Sequence, residues 1–176
     1  MTLNEANTRK QLIDRSLESS GWKDENLNCE YTFTKGKKTP GGGKGKQCSV
    51  DYLLQYNNTN VGLIEAKREG LPITEGLQQA QDYGSKLGVR FVYSTNGHGI
   101  FEYDAESDTG KEIDAYPTPE ELYQRVQGSN PKKDKMLKEP LVQEGSMIPR
   151  YYQKLAVQRA LGAIADGSKR VLLTLA

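Results

Sequence analysis

The order of elements in this sequence predicts an α/β fold, a mixed sheet flanked by helices. Three observations carry that expectation. Apolar and polar residues alternate from Leu27 to Phe33, the period of a half-buried strand; Ala6, Ile13 and Leu17, then Leu77, Ala80, Gly84 and Leu87, recur at helical spacing; and the elements run helix, three meandering strands, helix, strand.

Taken in order, Asn4 caps a helix to about Ser20, and Gly21 stops it. Strand 27–33 comes next. Residues 35–47 then break all regularity with Pro40 and the run Gly41-Gly42-Gly43, which predicts a long mobile loop. Ser49–Tyr56 reads as a second strand, Asn57-Asn58-Thr59-Asn60 as a reversal, and Val61–Lys67 as a third strand pairing with the second. Thr74 is the expected cap of a helix to Leu87, ended by Gly88. Val89–Thr95 and Ile100–Tyr103 are strand-like on either side of the turn signal Asn96-Gly97. In Thr118-Pro119-Glu120-Glu121, a cap, a proline at the first helical position and a capping-box glutamate predict a helix to about Val126.

The rest reads as a second unit. Residues 128–147 are polar and contain proline, as a linker would; 149–166 is helical; and 170–175 has the nearly all-apolar pattern of a strand buried in a parallel sheet. Such a strand is a poor terminus, so a longer natural chain is expected. The organisation is thus 1–127 as a first domain, 128–147 as linker and 148–176 as the opening of another.

Composition narrows the function classes. The 176 residues exceed one ordinary domain of roughly 100–150 residues, and a formal net charge of +1 makes the chain no basic nucleic-acid binder as a whole. Lys35, Lys37, Lys38, Lys44 and Lys46 nevertheless stand in a stretch free of acids, a local patch able to contact phosphates, or simply a solvated insertion. Cys29 and Cys48 lack the paired spacing of a zinc site and no secretory segment precedes them, which points to the cytoplasm. The apolar runs fall short of the roughly 20 residues of a membrane helix.

Three residues stand out chemically. Glu65 and Lys67, two apart on a strand, share a face, and a hairpin would bring Asp51 beside them. Converging carboxylates suit Mg²⁺, a hard cation taking oxygen ligands, and an adjacent lysine can orient a water and offset charge on a phosphorane-like transition state. Spacing alone equally allows a solvated cross-strand charged face. His98, the single histidine, follows a turn and reads as structural or exposed.

Val50-Asp51 followed by Glu65-Ala66-Lys67 resembles the PD-(D/E)xK nuclease superfamily, with Val50 in the place of its proline. Asn4-Glu5-Ala6 with Thr8-Arg9, Gly21-Trp22, Gln79-Ala80-Gln81-Asp82-Tyr83 and Thr95-Asn96-Gly97 make the resemblance more specific. Together they look like the amino-terminal region of type I restriction endonuclease motor subunits, over essentially the whole chain. The resemblance implies a restriction-endonuclease-like core followed by the start of a RecA-type helicase domain. It implies Mg²⁺-dependent cleavage of double-stranded DNA, with methyltransferase and specificity subunits as partners and ATP as a cofactor of the full-length subunit. Asp51 and Glu65 would hold Mg²⁺, with the backbone carbonyl of Ala66 and an accessory contribution from Glu5, and Lys67 would assist the attacking water. Glu5 is also placed for a simple helical pair with Arg9. Gln79 and Tyr83 match a Gln-x-x-x-Tyr element that supports the site or the DNA backbone, or else pack a helix on the sheet. Arg150 and Gln153, before Ala156-Val157, resemble the adenine-recognition segment of superfamily 2 helicases; the phosphate-binding loop that would follow lies beyond Ala176.

Two other readings remain open: a non-catalytic DNA-clamping or docking module, and the nuclease of another helicase-nuclease in repair or defence. The intact Asp51, Glu65 and Lys67 weigh against the first.

Overall fold

The computed structural model describes residues 3–34, 47–128, 150–165 and 167–173. The basic stretch 35–46 and residues 129–147 of the expected linker lie outside the described residues. A first helix, α1, covers residues 5–19, and β1 (Leu27–Thr34), β2 (Gln47–Tyr56) and β3 (Thr59–Ala66) follow it. Then come α2 (Leu77–Leu87), β4 (Phe91–Thr95), β5 (Ile100–Asp104), β6 (Thr109–Ile113), α3 (Pro119–Gln127) and α4 (Tyr151–Ala165).

The strands form one six-stranded sheet in chain order, β1-β2-β3-β4-β5-β6. All neighbours are antiparallel except β3 and β4, which run parallel because α2 carries the chain back between them. Two apolar clusters follow from strand alternation. Ile13, Leu17 and Trp22, with Leu122 and Tyr123 of α3, cover Tyr52, Ile64 and Tyr93. Ala80 and Leu87 of α2 cover Val50, Leu53, Leu63 and Val92. The sheet is therefore layered between α1 and α3 on one face and α2 on the other.

Most predicted caps are present. Asn4 Oδ1 accepts from the Asn7 amide at 2.9 Å, Gly88 closes α2 with φ +67, and Thr118 and Glu121 form a reciprocal capping box. Three expectations need correction, and one strand was not expected. The stripe on α1 is not Ala6, Ile13 and Leu17: Ala6 is exposed and Thr8 is buried instead. The middle of that helix, Arg9–Ile13, is π-helical, so an inserted residue shifts the buried face by one position. Helix α2 starts at Leu77 rather than at Thr74, with Gly76 as its cap residue. There Ser94 of the sheet accepts from the Gly76 amide at 3.1 Å and supplies what a side-chain cap would have. Strand β6 was not foreseen because its residues are largely exposed and carry no apolar alternation; pairing with β5 makes it a strand.

The expected strand 170–175 is also overturned over its described part. Residues 170–173 form no strand and Leu172 is 91% exposed. An apolar run becomes a buried strand only beside a strand that can pair with it, and among the described residues none lies alongside. Helix α4 packs on the end of α2, where Leu155 and Arg159 approach Gly88. No helix among the described residues is long and apolar enough to cross a membrane.

Candidate active site

Asp51, Glu65 and Lys67 come together where β2 and β3 meet the start of α2. Asp51 Oδ2 accepts from the Ala66 amide at 2.8 Å, so its carboxylate spans the gap to β3. Lys67 Nζ donates to Glu65 Oε1 at 3.0 Å and to Gln79 Oε1 at 3.2 Å. The chain positions them through three local features. Lys67, just past β3, is fixed by its amide donating to the Thr95 carbonyl at 2.8 Å. Gly76 lets the start of α2 approach: a Cβ there would stand 3.0 Å from Glu65 Cγ and from Ser94 Oγ. The Thr95-Asn96-Gly97 turn locks the end of β4, with Asn96 Oδ1 accepting from the His98 and Gly99 amides and Asn96 Nδ2 donating to the Leu71 carbonyl.

Asp51 sits where the face alternation of β2 changes phase while its register with β1 is kept. Val50 joins the cluster under α2 while Tyr52, two residues on, joins the cluster under α1 and α3. A regular strand would place both on one face. Across the ladder, Cys29 pairs with Tyr52 and Tyr31 with Val50, and Glu30 between them has φ +50. Irregularities of this kind re-aim a side chain, and here the one re-aimed is Asp51.

The electrostatics are those of crowded carboxylates. Glu65 is 4% exposed, and burial, reinforced by the charge of Asp51, pushes its carboxyl up to about 7. Its Oε2 is buried without a hydrogen-bond partner. Lys67 is held above its ordinary value: burial opposes its charge, and the hydrogen bond and charge of Glu65 outweigh burial. Glu5 is exposed and adds its field to both Glu65 and Lys67. The expected helical pair of Glu5 with Arg9 is replaced, since the ion pairs of Arg9 run to Glu30 and Asp51 at 3.2 Å each.

Gln79 bridges Lys67 to α2, and its Nε2 stands 3.5 Å from the Tyr83 hydroxyl; Tyr83 meets Phe33 edge to face at 5.3 Å. Lys35, Lys37, Lys38, Lys44 and Lys46 are not among the described residues. Gln153 lies far along the chain, exposed, its Oε1 accepting from the Arg150 amide at 2.8 Å. His98 is exposed and pairs with Glu69 at 2.8 Å. Sequence reasoning missed Gly76, Ser94 and the link from Arg9 to Asp51. Only Arg9 left a signal, as part of the Thr8-Arg9 motif.

Chemically, Asp51 and Glu65 offer oxygen donors, and the orphaned Glu65 Oε2 beside a second carboxylate is a position that a hard cation would satisfy. Among the described residues no three His, Cys, Asp or Glu side chains gather into a metal-binding group. Two carboxylates nonetheless match Mg²⁺, which keeps waters and takes substrate phosphates to complete its shell.

A family model described as the type I restriction enzyme R protein N terminus matches residues 4–117. The chain belongs to that family. It is 32% identical over 139 residues to the type I restriction enzyme EcoAI endonuclease subunit of Escherichia coli, covering 73% of this chain and 17% of that protein. To the EcoKI endonuclease subunit of E. coli strain K12 it is 24% identical over 228 residues, covering 94% and 19%. Its structure matches a fragment assigned to the HsdR subunit of a type I restriction enzyme from Vibrio vulnificus YJ016. There the TM-score is 0.85 at 37% identity, over 99% of this chain and 35% of that one. The chain spans less than a fifth of each E. coli relative.

Proposed function

We propose that residues 1–127 are the DNA-cutting domain of a type I restriction R subunit, a PD-(D/E)xK nuclease hydrolysing phosphodiesters with Mg²⁺. The observation that supports this most is the convergence of Asp51, Glu65 and Lys67 around a buried, unpartnered carboxylate oxygen.

Asp51 and Glu65 would hold the cation with the Ala66 carbonyl, and Glu5 would add negative field. The bound cation supplies Lewis acidity and charge neutralisation at the scissile phosphate. The chain's own residues do the rest. The Ala66 amide fixes the Asp51 carboxylate. Lys67, its charge maintained by Glu65 and its direction set by Gln79, presents an ammonium that orients the attacking water and offsets charge developing on phosphorus. The Gln79–Tyr83 pair keeps α2 in place. The basic residues Lys35, Lys37, Lys38, Lys44 and Lys46 would follow the DNA backbone without reading its sequence.

In this reading residues 148–176 open a superfamily 2 motor domain, with Arg150 and Gln153 on its adenine side, and residues 128–147 link the two. Methyltransferase and specificity subunits supply the target, and the full-length subunit uses ATP in the cytoplasm. The test is Lys67→Ala in the full-length subunit assembled with its partners, followed for Mg²⁺-dependent cleavage and DNA-stimulated ATP hydrolysis in parallel. Cleavage should fall by about 10²-fold or more while ATP hydrolysis persists. Persistence of both would make this a clamping module instead.

A further inference from the structure

A guanidinium that the chemistry above does not use stands against Asp51. Arg9 Nη1 lies 3.2 Å from Asp51 Oδ1 and 3.2 Å from Glu30 Oε1. The guanidinium carbon is 5.2 Å from the centroid of the Tyr52 ring, and the side chain is only 18% exposed. Tyr52 is itself tied to α1, its hydroxyl donating to Asp14 Oδ1 at 2.6 Å.

The backbone around this contact is irregular in all three elements that build it. Arg9 opens the π-helical turn of α1. Glu30 holds a positive φ on β1, and the alternation of β2 slips at Asp51. Deviations of these kinds cost free energy and concentrate where a side chain must be aimed. Each of the two carboxylates, Glu65 buried and Asp51 half-buried, thereby has its own cation, Lys67 for Glu65 and Arg9 for Asp51.

We infer that Arg9 is the resting counter-ion of Asp51, a positioning residue that yields this carboxylate to a divalent cation and is then retained by Glu30. The inference rests on the metal-dependent reading of the site. An incoming divalent cation and a guanidinium cannot both sit on Asp51 Oδ1 without strong like-charge repulsion, so one must leave. Glu30 makes the exit short, because it already shares Nη1 and its 73% exposed side chain can follow the guanidinium outward. Arg9 in this role sets the affinity of the site and offsets the charge of Asp51 in the absence of the cation.

The experiment is Mn²⁺ binding to the 176-residue chain by calorimetry or by electron paramagnetic resonance, without DNA. Arg9→Gln should bind Mn²⁺ more tightly, on the order of fivefold, because the competitor is gone. Glu30→Gln should bind it more weakly by a similar factor, because Arg9 then has only Asp51. In Arg9→Gln, the further change Glu30→Gln should do nothing, since Glu30 acts through Arg9; a charge acting at long range would give additive effects instead. Additivity, unchanged binding, or shifts of both single variants in one direction overturns the inference. Should Arg9→Gln fail to fold, the exposed Glu30→Gln decides alone, and equal or tighter binding overturns it. Asp51→Asn separates the two levels: if the wild type binds no Mn²⁺, or Asp51→Asn binds it as well, the proposed metal site itself has failed.

Discussion

Replacing Arg125 by methionine should expose how much of the fold rests on one charged pair. Glu102 sits on β5 with its side chain 4% exposed and accepts from Arg125 Nη2 at 2.7 Å, from Arg125 Nη1 at 2.8 Å and from the Tyr93 hydroxyl at 3.0 Å. The same guanidinium lies 4.1 Å over the Phe91 ring. Removing one partner of a fully buried pair costs about 3–5 kcal/mol, because the other charge is left unpaired. Arg125 is 38% exposed, so solvent already screens part of the interaction, and about 2–3 kcal/mol is expected at pH 7.5. For a chain of this size that is a fall in Tm of about 5–10 °C.

The pH dependence should change sign with this substitution. Burial works to raise the Glu102 carboxyl, but its bond and charge with Arg125 hold it below the ordinary value of 4.5. In the wild type it therefore contributes stability above pH 4.5 that is lost as the pH falls through its lowered value. Without Arg125, burial is opposed by no more than the Tyr93 bond and the charge of Lys111, and the carboxyl should rise above 4.5; the variant is then relatively stable when Glu102 is protonated and loses stability as the pH rises. Urea unfolding followed by the fluorescence of Trp22 should show a deficit of about 1 kcal/mol at pH 4 that grows to its full size at pH 7.5. Adding Glu102→Gln should recover more than half of it. A deficit under 1 kcal/mol at pH 7.5, or one independent of pH, would refute the reasoning.

Gly76→Ala pushes a methyl group to 3.0 Å from Glu65 Cγ and 3.3 Å from Lys67 Cε; DNA cleavage by the assembled enzyme should fall at least about tenfold while the domain, in urea titration, loses no more than about 1–2 kcal/mol. Gly97→Ala combines φ +88 with a Cβ 2.7 Å from Leu12 Cδ1 and 2.8 Å from Thr8 Cγ2, which should cost about 2–3 kcal/mol in thermal unfolding. Asp104 is held at about 2, against an ordinary 3.8, chiefly by its hydrogen bond from Arg90. It contributes stability above pH 3.8 that is lost as the pH falls toward 2, and Arg90→Gln should abolish about 1 kcal/mol of that acid-range loss in urea titrations, the exposed part of the pair being screened.

Much of the architecture was legible because it depends on local physics. The alternation of Leu27–Phe33, the Asn57-Asn58 reversal and the Thr118 capping box each encode their element within a few residues. The core of the site was legible for the same reason: two residues apart on a strand share a face, and a hairpin brings the next strand alongside. Elements that draw their hydrogen bonds or their burial from elsewhere were not. Strand β6 exists through its pairing with β5, and the start of α2 is set by Ser94, eighteen residues on from Gly76. The apolar segment 170–173 misled because nothing among the described residues pairs with it.

By itself, then, the sequence determined which residue types could do the chemistry, Asp51, Glu65 and Lys67, and the order of helices and strands that would present them. The tertiary structure alone decided the charge environment. Burial of Glu65 against Asp51, the slip of β2 at Asp51, the π-turn that delivers Arg9 and the glycine that lets α2 close on Glu65 all arise from contacts between segments distant in the chain. Periodicity reports the face on which a residue lies, whereas its desolvation and its ionic partners are set by whatever packs against that face.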